Sequence, residues 1–151
     1  MSEQSALSRD AWMGLVPHQG RMALIGQVLA FDAGSIRCRS DDHRDPDHPL
    51  RRHGRLHAVH LCEYGAQAMA VHGALLARAG GGSAAPGLLV ALRDVELACE
   101  RIDDLPGPLD IRAWRAGADT AAWLYRFEVL HDGVRLAAGQ AMVKLEDRDG
   151  H

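Results

Sequence analysis

The spacing of apolar residues changes character along the chain. Met22–Phe31 reads MALIGQVLAF and runs through the turn DAGS into Ile36–Arg39. Two short apolar runs joined in this way predict a hairpin. Ahead of it, Ser8–Leu15 predicts a short helix with Ser8 as N-cap, ending before Pro17. Behind it, DDHRDPDHPLRRHGR carries two prolines and no period, which predicts a long loop. The only long helical stretch is His57–Ala79, rich in alanine and leucine and closed by GGGSAAPG. Beyond it the pattern shifts to partial alternation. GLLVALRDVELACE, PLDIRAWRA, AAWLYRFEVLH and VRLAAGQAMVKLE are separated by Gly/Asp turns such as HDG. They predict a meander of three or four antiparallel strands.

Hairpin, loop, one helix, then strands is an α+β order. One helix cannot cover a whole flat sheet, so a curved sheet must wrap around it. No repeat or linker divides the chain, and 151 residues suit a single domain over 1–151. Hydrophobic residues make up 47% and charged residues 25%, an ordinary globular balance. A formal charge of −3 argues against a nucleic-acid or anionic-membrane partner. Cys38, Cys62 and Cys99 lie far apart with no CxxC, which suggests a reduced, cytoplasmic protein. The polar start MSEQSALSRD does not read as a signal peptide. The longest apolar stretch, Ala66–Ala79, is broken by His72, Gly73 and Arg78, so no membrane span is expected.

The chemistry concentrates around the helix start. Glu63 and Gln67 stand four positions apart on one helix face, with His60 three positions before Glu63. Ala70 and Ala74 continue that face in small residues, leaving room for an extended apolar ligand. The plainer alternative has Glu63 as a first-turn carboxylate favoured by the helix dipole, with Gln67 bonding a strand backbone. His53, His57 and His60, with Asp45, Asp47 and His48 upstream, have a spacing that invites a metal. No cysteine joins them and the helix itself begins near His57, so neither metal nor cofactor is expected. GGGS lacks the Lys-Ser/Thr of a phosphate loop. Trp12, Trp114 and Trp123 read as core or interface packing.

VPHQGRMALIGQVLAFD resembles the opening of the FabZ-type 3-hydroxyacyl-acyl-carrier-protein dehydratases. Pro17, His18, Met22, Leu24 and Val28 fit, while Gly26 replaces an aspartate. EYGAQAMA resembles the family's central-helix motif, with Glu63 and Gln67 in place. LRDVELACERIDDLPGPLDIRA, with Arg93 and Pro106-Gly107-Pro108-Leu109, is similar to the later strand pair. The likeness covers nearly the whole chain in one order and is strongest to the hotdog proteins of aryl polyene biosynthetic clusters. It implies a hotdog fold and a dimer, a homodimer or a heterodimer with a second hotdog subunit, with sites at the interface. His48-Pro49 stands one residue out of the family's spacing to Glu63, and the double Pro-Gly before the helix is missing.

The resemblance implies loss of water from a 3-hydroxyacyl thioester borne by an acyl carrier protein. That reaction needs a base for the proton beside the carbonyl and an acid for the departing hydroxyl. A backbone N–H must also hold the carbonyl oxygen. Glu63 is the expected acid, with burial favouring its protonated form and the positive helix end opposing it, and His48 the expected base. Gln67 positions the substrate, Gly54 supplies the backbone donor, and His18 stands near the entrance. A solvated His48 and a backbone-bonding His18 are the plainer readings. Two other functions fit: a thioesterase in which Glu63 activates water, or a non-catalytic or half-catalytic subunit whose partner supplies the histidine loop.

Overall fold

The computed structural model describes residues 7–9, 12, 14, 22–79, 87–118 and 122–145. Among these residues seven antiparallel strands form one sheet: β1 (Leu7–Ser8), β2 (Gln27–Phe31), β3 (Ser35–Ser40), β4 (Gly87–Leu97), β5 (Leu109–Ala118), β6 (Ala122–His131) and β7 (Val134–Leu145). Their order across the sheet is β1-β2-β3-β5-β6-β7-β4, wrapped around the helix α1 (Leu61–Ala79). This is the expected hotdog arrangement.

Alternation sets the two faces of the sheet. On β3, Ile36, Cys38 and Ser40 point inward while Arg37 and Arg39 are exposed. On β5 and β6, Leu109, Ile111, Ala113, Tyr125, Phe127 and Val129 are buried. The helix answers with Leu61, Tyr64, Ala68, Val71 and Leu75, a helical stripe that packs chiefly on β5, β3 and β6. Gly65 lets it come close. A Cβ there would stand 2.6 Å from Phe127 Cδ2, and one on Gly139 would stand 2.8 Å from Phe127 Cε1. Phe127 therefore fills the gap between two glycines.

Four expectations need correction. Leu7–Ser8 is a strand paired to Val28 and Gln27, so Ser8 does not cap a helix; most of 9–15 lies outside the described residues. Only Gln27–Phe31 of the apolar run 22–31 is a strand, for reasons that belong to the site below. The α-helix begins at Leu61, because Ala58–His60 form a 3-10 turn. Its N-cap is His57, whose Nδ1 accepts the Val59 N–H at 3.0 Å. Finally, the last four strands are not a simple meander. β5, β6 and β7 run consecutively, but β4 crosses to the far side of β7 and forms the sheet edge. Two register shifts interrupt the β4–β7 ladder, and within the second Asp94 adopts φ 53°.

All three cysteines are free, and burial pushes the Cys38 thiol up to about 12. Among the described residues no helix is long and apolar enough to cross a membrane.

Candidate functional site

The helix start is fixed by the segment before it. Leu56 donates its N–H to Asp103 Oδ1 at 2.9 Å, Ile102 donates to the Leu56 carbonyl at 2.9 Å, and Ala58 donates to the Glu100 carbonyl at 2.8 Å. Asp103 is itself gripped by Arg101, which holds its carboxyl well below the usual carboxylate range. Between these anchors Arg52 and Arg55 exchange backbone hydrogen bonds around a two-residue tip. His53 (φ 52°) and Gly54 (φ 74°) both take left-handed backbone there, as such a tight turn demands.

Glu63 lies in the first turn of α1 and is exposed. Half-buried His60 is its neighbour one turn back. Burial lowers the His60 pKa, helped by the His57 charge and opposed by the Glu63 carboxylate. Cys62 is shifted upward by burial and then by Glu63.

Gln67, one turn on, is only 2% exposed. Its Nε2 donates to the Met22 carbonyl at 2.7 Å and its Oε1 accepts the Leu24 N–H at 2.7 Å. Both ends of the carboxamide are thus spent on the segment before β2. Arg9 adds bonds to the carbonyls of Ala23 and Ile25, and the Ser40 hydroxyl donates to that of Leu24. Side chains bond the backbone of Met22–Ile25, and only Gly26, whose N–H reaches the Arg39 carbonyl at 3.0 Å, joins β3. Gln67 thus bonds backbone, as in the plainer reading, but the backbone of the irregular segment ahead of β2 and not of a strand.

His48 is buried, not solvated. Its Nδ1 accepts the Leu50 N–H at 3.1 Å, which puts the ring proton on Nε2. From there it reaches the Tyr64 hydroxyl at 3.1 Å, and Tyr64 donates to Asp42 Oδ1 at 2.6 Å. Asp42 Oδ2 also stands 3.5 Å from Nε2. Burial lowers the His48 pKa against the opposing pull of Asp42. Burial, then Asp42, raises that of Tyr64. The lone pair that a base requires is already committed to Leu50. His48 bolts the 42–50 loop to the helix residue beside Glu63. Tyr64 and Asp42 are the parts missed from the sequence, because their meeting across 22 positions is a product of the fold.

Gly54 is exposed at its tip, with nothing within 4 Å of where a Cβ would sit, so this chain alone does not enclose a carbonyl there. His18 lies outside the described residues. Among the described residues no three His, Cys, Asp or Glu side chains are gathered to hold a metal, and His53, His57 and His60 form no such group.

Two more histidines are fully enclosed. His72 Nε2 donates to the Asp32 carbonyl at 2.7 Å, while Nδ1 accepts the Tyr125 hydroxyl at 2.8 Å. His43 Nε2 donates to the Leu105 carbonyl at 2.8 Å, and its Nδ1 is buried without a partner. Burial lowers the pKa of both.

The comparisons with known proteins agree with this architecture. A family model described as ApeP-like, ApeP dehydratase, matches residues 11–148. No curated protein matches the sequence. The dehydratase heterocomplex ApeI:P from Xenorhabdus doucetiae is similar at 21% identity, covering 95% of this chain and 94% of that one, with a TM-score of 0.82. The PaaI protein of the Escherichia coli phenylacetic acid degradation operon matches at 13% identity over 78% of this chain and 80% of that one, with a TM-score of 0.58. A hypothetical thioesterase from Streptococcus pneumoniae, solved with coenzyme A, matches at 11% identity over 79% and 84%, also with a TM-score of 0.58.

Proposed function

Because the chain belongs to the ApeP-like dehydratase family, we propose that it acts on a 3-hydroxyacyl thioester carried by an acyl carrier protein, in a site shared with a second hotdog subunit. Glu63 supplies the carboxylic acid that protonates the departing hydroxyl. The imidazole that takes the proton beside the carbonyl comes from the second subunit. One observation carries this division: Glu63 is presented open at the helix start, while both ring nitrogens of His48 are occupied within the chain. An open carboxylate becomes a working acid when a partner surface desolvates it. The heteromeric state of the Xenorhabdus complex supports this assembly. Three free cysteines fit a reducing, cytoplasmic setting.

The test mixes the chain, alone and with a second hotdog subunit, with a 3-hydroxyacyl thioester. Enoyl absorbance that appears only in the mixture, and is lost in Glu63→Gln, supports the proposal. Release of free thiol marks a thioesterase. Full turnover by the chain alone, sensitive to His48→Asn with the fold intact, returns the base to His48 and overturns the division.

A further inference from the structure

On the side of the sheet away from α1, the outward residues of β3, β5 and β6 form a basic and aromatic surface. Arg37 stands directly opposite Arg112, and Trp114 directly opposite Arg126. Like charges placed opposite one another weaken a strand pair. Among the described residues none of these three arginines has a carboxylate partner, whereas Arg39 on the same face meets Asp110 at 3.6 Å. Glu128, across from Arg112, is engaged by Arg135 at 3.5 Å. The Nε of Arg112 is enclosed and has no hydrogen-bond partner. Trp114 is 38% exposed and Leu124 on β6 is 48% exposed. Ser35, Ile36, Arg37, Arg112 and Trp114 line a concavity of about 340 Å³.

A chain with a net charge of −3 does not collect arginines on one face through basic composition. The opposed guanidinium pair and the open indole are each unfavourable when left uncovered. One event relieves both: the approach of a surface bearing carboxylates and an apolar side chain. Guanidinium groups take carboxylates bidentately, and tryptophan and arginine are the side chains that dominate protein–protein contacts. A second copy of this face is a poor occupant, because a two-fold contact would set arginine against arginine.

We propose that this outer face docks an acidic partner protein, whose carboxylates pair with Arg37, Arg112 and Arg126 while an apolar side chain covers Trp114 and Leu124. The face lies across the sheet from the helix that carries Glu63, and the proposal is independent of the reaction. The test titrates the full chain with a synthetic Asp/Glu-rich peptide containing leucines, with its Asn/Gln counterpart, and with ATP as a small polyanion. The acidic peptide should bind, more weakly as salt rises. Arg112→Glu and Arg126→Glu should each reduce its affinity about tenfold or more. Arg55→Glu, an exposed arginine elsewhere, should change it less than about twofold. If Arg112→Glu unfolds, Arg37→Glu replaces it. The proposal is overturned if the acidic peptide fails to bind, if the amide peptide binds equally, or if Arg55→Glu is as damaging. ATP binding that depends on Arg112 and Trp114, with no peptide binding, assigns the face to a small anion instead.

Discussion

Glu63 and Gln67 share a helix face, yet one is open and the other sealed. The segment Met22–Leu24 takes both ends of the Gln67 carboxamide. Two substitutions expose the difference. Gln67→Leu strips the Leu24 N–H and the Met22 carbonyl of their partners, at roughly 1–3 kcal/mol each. In a domain of this size the thermal midpoint should fall by about 5–15 °C. Glu63→Gln should move the midpoint by less than about 2 °C, as exposed polar changes do, while removing turnover in the reconstituted pair. A midpoint lowered as much as by Gln67→Leu would make Glu63 a structural residue. The enclosed histidines add a pH dependence. Their folded pKa values lie below the ordinary 6.5, so the unfolded chain binds more protons under mildly acidic conditions. Stability is then complete above about pH 6.5 and declines as pH falls below it, each group contributing at most about 1.4 kcal/mol per pH unit. His72→Gln can still donate to the Asp32 carbonyl and accept from Tyr125. It should flatten the fall of the midpoint between pH 6.5 and 5; an unchanged slope would clear His72 of the effect.

At the level of elements, the contact between α1 and the sheet turns on Phe127. Gly65→Ala drives a methyl group into that ring and should cost about 1–3 kcal/mol by overpacking, measured by denaturant unfolding. A stabilised protein would mean that the ring has room to yield. The alternation of Ile36, Cys38 and Ser40, and of Tyr125, Phe127 and Val129, was legible in the sequence because period two is a local property. So was the helix, apart from its first turn, where His57 folds back as a cap. The position of β4 was not, since the choice between β5 and β7 as its neighbour is decided by closure of the sheet over the helix. Met22–Ile25 misled for a similar reason. Its apolar run is real, but Gln67, Arg9 and Ser40 satisfy its backbone from distant parts of the chain. Glu63 stands out as a candidate because its motif is contiguous, whereas the His48–Tyr64–Asp42 chain joins a loop to a helix and has no contiguous trace.

For the whole molecule, β4 is one edge of the sheet, and its Leu92, Val95 and Leu97 are each more than a third exposed. An edge of this kind invites pairing across subunits. Sedimentation at micromolar concentration should find the chain in a dimer, with itself or with a second hotdog subunit. A lone monomer in both cases would contradict that. The pairing should also be finite. β4 breaks register with β7 at Leu89–Ala91 and again at Arg93–Glu96, where Asp94 turns left-handed, so the strand is bent twice along its length. Only a matched partner can follow such a path, and a flat ribbon growing by endless addition cannot use it as a template. A concentrated solution held warm should stay clear and leave an amyloid dye dark, and straightening the second bend with Asp94→Val should be the change that lets fibres begin.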